Sequence, residues 1–272
     1  YTYSSANGDV TGPSKGSYDY WILKLNSTGS IMWQKNYGGN DNEIAYSIVQ
    51  TSDGGYAVAG YTNSSENGDV TGQNKGSWDY WVVKLNSTGG IVWQKNYGGN
   101  NDDKAFSIAQ TSDGGYAVAG SILSSASGDV TGQSKGDRDY WILKLDSTGS
   151  IIWQKNYGGS NEDVGRSIVQ TSDGGCAVAG HTKSSQDGDV TGQNKGSVDY
   201  WILKLNSTGG IVWQRNYGGS DSDVACSIVQ ASDSGYAVAG HTKSHQNGDV
   251  TGQNKGYYDY WVVKINANGE LQ

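Results

Sequence analysis

The tripeptide Asp-Tyr-Trp returns every 60 residues, at Asp19, Asp79, Asp139, Asp199 and Asp259. It marks a repeat that runs the length of the chain, and residues 61–120 match residues 181–240 at 44 of 60 positions. A unit this short cannot bury its apolar faces alone, so successive copies must pack on one another. No Pro-rich or charged linker interrupts the array, which reads as a single domain over 1–272. Its parts are a partial unit 1–44, full repeats 45–104, 105–164 and 165–224, and a partial last repeat 225–272. The chain opens inside a repeat, with Tyr1-Thr2-Tyr3-Ser4 aligning with Tyr61-Thr62-Asn63-Ser64, as a processed or trimmed polypeptide would.

Each repeat reads as four short strands. Residues 45–51 alternate, Ser52-Asp53-Gly54-Gly55 follows, and residues 56–62 return, so the Asp-Gly step predicts a two-residue hairpin turn. After a loop over 63–78, residues 79–85 and 91–97 form a second pair around Asn86-Ser87-Thr88-Gly89. No useful window holds a 3.6-residue period. Four antiparallel strands per repeat make a β-propeller blade, so the expected fold is all-β. Blades radiate from an axis, and the gap between them widens outward. The first hairpin carries small residues (Ala45, Ser47, Ala57, Ala59, Gly60) and the second carries Tyr80, Trp81, Trp93 and Tyr97. The first hairpin is therefore placed inside and the Trp-rich hairpin outside, with the rings dominating the packing energy.

The pattern Ala-x-Ser-Ile-x-Gln-Thr-x-Asp-Gly-Gly-Tyr-x-Val-Ala-Gly, then Asp-Tyr-Trp-x-x-Lys-Leu, then Ile-x-Trp-Gln-Lys-x-Tyr-Gly-Gly resembles the SBBP-type β-propeller repeats of secreted and cell-surface prokaryotic proteins. The resemblance covers the whole chain. It implies an extracellular or cell-surface scaffold, often part of a larger protein, with no family-wide catalytic residues. The family name refers to seven blades, whereas this chain holds four inner hairpins and five Asp-Tyr-Trp strands. Four complete blade equivalents plus partial ends leave several arrangements open. The N-terminal outer hairpin (17–38) could join the C-terminal inner hairpin (225–242) in a ring of four, with 258–272 as surplus. A ring of five with one incomplete blade, or membership of a longer array, fits equally. Unfinished edges also invite strand addition from another copy or another surface protein.

The loop between hairpins repeats Ser-x-x-x-Gly-Asp-Val-Thr-Gly and places Asp9, Asp69, Asp129, Asp189 and Asp249 at one position. Such carboxylates, with Asn, Ser and carbonyl oxygens nearby, are the donors calcium prefers, but the spacing is not that of an EF-hand. An aspartate capping its own turn explains them more simply. The sequons at Asn26, Asn63, Asn86 and Asn206 are candidate N-glycosylation sites in the extracellular context that the resemblance implies. His181, His241 and His245 lack zinc-ligand spacing and are expected at the surface or rim. Cys176 and Cys226 fall at opposite ends of their strands, too far apart for a disulfide, and are expected as two separate buried thiols. Tyr18, Trp78, Tyr257 and Tyr258 precede the Asp-Tyr-Trp strands, where Arg138 and Val198 also occur. That variation favours blade-edge packing over one sugar site per blade.

The net charge of −8 argues against a nucleic-acid partner, and no apolar run is long enough to cross a membrane. There is no Ser-His-Asp set, phosphate loop or nucleophile motif. No cofactor other than calcium is suggested. The expectation is a non-enzymatic, extracellular or cell-surface scaffold able to self-assemble through its incomplete terminal blades. A carbohydrate-binding propeller using rim loops is the alternative.

Overall fold

The structure, a computed structural model, describes residues 1–3 and 8–272, and every regular element among them is a β-strand. The first sheet is a hairpin of β1 (Tyr20–Leu25) and β2 (Ile31–Tyr37). The second holds β3 (Glu43–Gln50), β4 (Tyr56–Thr62), β5 (Asp79–Leu85) and β6 (Ile91–Tyr97). The third holds β7 (Asp103–Gln110), β8 (Tyr116–Ile122), β9 (Asp139–Leu145) and β10 (Ile151–Tyr157). The fourth holds β11 (Asp163–Gln170), β12 (Cys176–Thr182), β13 (Asp199–Leu205) and β14 (Ile211–Tyr217). The fifth has three strands, β15 (Asp223–Gln230), β16 (Tyr236–Thr242) and β17 (Asp259–Ile265). Strands pair antiparallel in chain order within every sheet, which makes the sheets blades of a β-propeller.

The blade count takes a definite form. The mixed blade that would close a ring of four is not formed, because β17 occupies the edge of β16 where β1 would have to pair. Residues 258–272 are not surplus; they supply the third strand of the fifth sheet. Among the described residues the first sheet keeps only the Thr2–Asp19 bridge of its inner pair, and the last sheet only the Ile265–Leu271 bridge of its outermost strand.

Successive sheets approach most closely through their first two strands, as β3 does to β7 and β11 to β15. Ala57, Ala59, Ala117, Ala119, Ala177 and Ala179 fill that narrow side and are fully buried. On the wide side indoles bridge the gap: Trp93 Nε1 donates to the Ser147 carbonyl at 3.0 Å and Trp153 Nε1 to that of Ser207 at 3.0 Å. The wedge of small inner and large outer side chains is thus realised. Each interface joins the back face of one sheet to the front face of the next. Between the second and third sheets, Tyr80 and Val82 meet Trp141, Leu143 and Leu145. Tyr80 packs on Trp141 with ring centroids 4.7 Å apart and donates its hydroxyl to the Trp141 carbonyl at 3.0 Å. The same ring pair and bond recur at Tyr20–Trp81, Tyr140–Trp201 and Tyr200–Trp261.

Two local features depart from the sequence reading. The inner hairpin does not close through a two-residue turn. Thr51 N donates to the Gly55 carbonyl and Gly54 N to that of Thr51, leaving three residues in the loop. Of these only Gly54 has positive φ, at 78°, so a type I turn followed by a left-handed glycine replaces a turn needing two left-handed residues. Gln50 therefore pairs with Tyr56, one place from the expected register. The first strand of each sheet from the second to the fifth also carries a β-bulge between Ala45 and Ser47 or the equivalent positions, which ejects Tyr46, Phe106, Arg166 and Cys226 from the ladder.

Candidate functional site: the divergent rim

Near-identical repeats make their differences informative, and the structure gathers most of the chemically large ones at one end of the blades. Tyr18, Trp78, Arg138 and Val198 bridge to Asn42, Asp102, Glu162 and Ser222, four matched positions with four different pairs of side chains. The backbone carbonyls of those last four accept from the amides of Asn63, Leu123, Lys183 and Lys243. Directly beside them Ile44 pairs with Tyr61, Lys104 with Ser121, Val164 with His181 and Val224 with His241. The bulged residues Tyr46, Phe106, Arg166 and Cys226 complete the rim. The opposite end of the blades holds the nearly invariant Ser-Asp-Gly-Gly and Ser-Thr-Gly turns.

Side chains along this rim touch from blade to blade. Tyr46 stacks on Tyr61 at 5.5 Å and meets Phe106 edge-on at 5.0 Å; Tyr61 meets Trp78 at 5.0 Å. Lys104 lies over the Tyr61 and Trp78 rings and pairs with Asp102 at 3.1 Å, which Arg138 approaches at 3.4 Å. Further round, Arg166 Nε donates to His181 Nδ1 at 3.4 Å, while Glu162 receives His181 at 3.5 Å and Lys183 at 3.0 Å. The bonds from His181 and Lys183 pull the Glu162 carboxyl down to about 2, and burial lowers the His181 imidazole. At the last blade His241 packs on Tyr258, and Lys243 lies over Tyr257 and Tyr258. The rim thus runs from aromatic through ionic to a cysteine–histidine–tyrosine group, with Cys226 Sγ 3.9 Å from His241 Nδ1. Rings, ion pairs and a thiol–imidazole contact are thus presented side by side along one surface.

Beneath the rim each four-stranded blade buries two acids. Asp79 and Asp103 both lie against Gly98, where a Cβ would strike the two carboxylates, and Asp139 and Asp163 frame Gly158 in the same way. Burial pushes Asp79 up to about 7 and Asp139 and Asp199 up to about 6, and it also raises Asp103 and Asp163. This explains the first glycine of each Gly-Gly pair, which admits the acids, while the second lies against a loop serine such as Ser124 or Ser184.

The loop aspartates find their partners in the preceding repeat. Asp69 pairs with Lys15, Asp129 with Lys75 at 2.8 Å, and Asp189 and Asp249 with Lys135 and Lys195 at 2.6 Å. Asp69 Oδ2 also accepts from Gly38 N at 3.1 Å, so the carboxylate latches two blades instead of capping its own turn. Asp9 offers its carbonyl to Gln34. The first copy of this loop begins at Ser4, outside the described residues. Among the described residues no three His, Cys, Asp or Glu side chains converge as a metal site would require.

Asn26, Asn86 and Asn206 sit exposed at the outer hairpin turns, each carboxamide oxygen accepting from the amide two residues on. Asp146 and Asn266 make the same bond in the other two copies, so an aspartate oxygen serves the turn as well as an asparagine oxygen does. Asn63 lies half-buried on the rim and caps Asn42 N at 2.8 Å. His245 accepts from Asn254 N within its loop. Both thiols are free, but Cys226 is exposed, correcting the expectation of two buried ones. It is the bulged residue of its strand and is turned out of the ladder, as the exposed Tyr46 is. The rim was legible as divergence between copies; what the sequence does not reveal is that the divergent positions meet at one end.

No family model matches the chain. It is 27% identical over 239 residues to the regulatory protein FlaEY of Caulobacter vibrioides, covering 84% of this chain and 24% of that protein. The chain thus spans about a quarter of the length of this curated relative. Among solved structures, a protein of unknown function from Bacteroides caccae superposes with a TM-score of 0.38 at 13% identity, covering 95% of this chain and 90% of that one. The Pan2 WD40 domain of Neurospora crassa gives 0.43 at 14% identity, over 84% and 64%.

Proposed function

We propose that the chain is a non-enzymatic interaction scaffold displayed outside the cell or on its surface, and that its divergent rim is the partner-binding face. One observation carries this reading: repeats that agree elsewhere differ in charge, ring content and size at positions that converge on one rim. Packing alone would favour equal residues at equivalent positions, as it does at the Tyr–Trp interfaces. The bulges support the same view, since they turn the most varied side chains out of the ladder. Likeness to a protein described as regulatory favours binding over catalysis. The partner is taken to be another surface protein, with a second copy docking at the terminal blades.

Affinity capture from the source organism tests the rim. A Lys104→Glu/Arg166→Glu variant, folded by circular dichroism, is expected to lose partners held by the parent chain. A variant altered at Ser112 and Ser172 on the opposite end is expected to keep them. The reverse pattern overturns the assignment, and saturable binding on a glycan array replaces it with the lectin reading.

A further inference from the structure

The guanidinium of Arg166 is held in place on the rim without being used up by the protein. Arg138 approaches Asp102 at 3.4 Å, and Arg215 donates to the Gln214 and Asn268 carbonyls at 2.8 and 3.0 Å. Arg166 instead directs Nε at His181 Nδ1, 3.4 Å away, and its Cζ lies over the Phe106 ring, 5.9 Å from the centroid. Its two terminal nitrogens meet no acceptor among the described residues. Asp102 and Glu162, acids of the same rim, are already engaged, the first by Lys104 and Arg138 and the second by His181 and Lys183. The following sheet presents no acid at the matching place but Cys226, with His241 beside it, an imidazole lowered by burial and then by the Arg166 charge. We propose that Arg166 is a recognition point for a carboxylate, through which the rim holds an acidic segment of its protein partner. This rests on the rim being the partner-binding face and names the chemistry that it selects.

The donor fork is set before any partner arrives. Arginine donates and never accepts, so Nδ1 of His181 is the acceptor and the ring hydrogen sits on Nε2, facing Glu162 Oε1 at 3.5 Å. His181 is only 5% exposed and makes a fixed post for the arginine. With Nε tied and the cation resting over a ring, the terminal nitrogens remain as paired donors that match the two oxygens of a carboxylate, and little rotamer freedom is left to lose. Phe106 meets Tyr46 edge-on at 5.0 Å and Tyr61 at 6.5 Å, so rings continue from the cation and suit an acid flanked by aromatic residues. A phosphate polymer needs clustered cations, whereas a carboxylate needs one fork. The net charge of −8 repels an acidic segment only weakly, because charges farther off than about 10 Å are screened at 0.1 M salt. Arg166 stands on the fourth sheet, with the third and fifth packed on either side of it. The matched positions carry Tyr46, Phe106 and Cys226, so those sheets do not repeat the cation.

Fluorescence anisotropy of the 272-residue chain with two labelled peptides, one alternating Glu and Phe and the other Gln and Phe, tests it at low salt. The parent is expected to hold the Glu peptide roughly tenfold more tightly than the Gln peptide, the scale of one charge-assisted hydrogen bond. Arg166→Gln is expected to abolish that preference. Lys155→Gln, which removes the same charge from an exposed outer-strand position, is expected to keep it. His181→Phe should lose the preference, and His181→Asn, whose carboxamide oxygen can stand where Nδ1 accepts, should restore it. A parent without the preference overturns the proposal, as does a preference that survives Arg166→Gln or falls equally with Lys155→Gln. If His181→Asn fails as His181→Phe does, the positioning role of His181 is overturned. Cellular partners lost by the Lys104→Glu/Arg166→Glu chain but kept by Arg166→Gln overturn the carboxylate contact and leave the rim reading standing. A Glu preference lost on Arg166→Gln, with every cellular partner retained, supports the contact and counts against the rim reading alone.

Discussion

The same substitution made in the same local sequence should have opposite consequences at two places in this chain. Tyr140 and Tyr260 both follow Asp and precede Trp on the third strand of a blade. Tyr140 is fully buried against Trp201 and donates to its carbonyl at 2.8 Å, while Tyr260 is exposed. Truncating a buried ring to alanine costs roughly 3–5 kcal/mol, with about 1 kcal/mol of it traceable to a hydrogen bond. Tyr140→Ala should therefore lower stability by that amount, and Tyr140→Phe by about 1 kcal/mol. Tyr260→Ala should stay within about 0.5 kcal/mol in dilute monomeric solution. Urea unfolding followed by tryptophan fluorescence reads the difference, and the melting temperature of the Tyr140→Ala chain should fall by roughly 6–20 °C. Equal losses at the two sites in monomeric samples would refute the idea that blade-to-blade packing sets the energetics.

Three further outcomes follow from the interior. Burial raises Asp79, Asp139 and Asp199 above their unfolded values, so their contribution is complete below about pH 4 and is lost as pH climbs through 6 to 7, by up to about 1.4 kcal/mol per pH unit for each group. Asp113 and Asp173, exposed but held down to about 2 by Lys144 and Lys204, act oppositely, their contribution fading as pH falls from 4 toward 2. Melting temperature should thus be higher at pH 5 than at pH 8 and drop again in stronger acid; a flat profile between 5 and 8, unchanged by Asp139→Asn, would count against buried acids. Of the two thiols, Cys226 should react promptly with Ellman's reagent in the folded chain, whereas Cys176, buried and pushed up to about 11, should react only on unfolding; mass spectrometry of alkylated peptides distinguishes them. With lysines against four of the loop aspartates, calcium or EDTA is expected to leave the melting temperature unchanged, and a calcium-dependent rise abolished by Asp129→Asn would assign a metal there.

Repeat length, strand pattern and side-chain size were enough to specify the four-stranded blade and the direction of its wedge, because these depend on periodicity and volume within one unit. The hairpin register needed the structure, since Asp53-Gly54 serves either a two-residue turn or a three-residue loop and the choice rests on which residue takes positive φ. The role of Asp69 needed it as well, because its partners Lys15 and Gly38 lie in another repeat and are brought near only by blade stacking. Nor could the sequence separate Cys226 from Cys176, or Tyr260 from Tyr140. Cys226 is turned out of its ladder by a bulge while Cys176 stays paired, and Tyr260 differs from Tyr140 because no neighbouring sheet stands opposite it, a property of position in the array rather than of the unit. The bulges and parallel bridges that bring Tyr18, Asn42, Tyr46, Tyr61 and their counterparts to one rim arise the same way. One-dimensional regularity determined what each blade is made of, while the geometry between blades decided which faces are covered, which acids are buried and where the repeats present their differences.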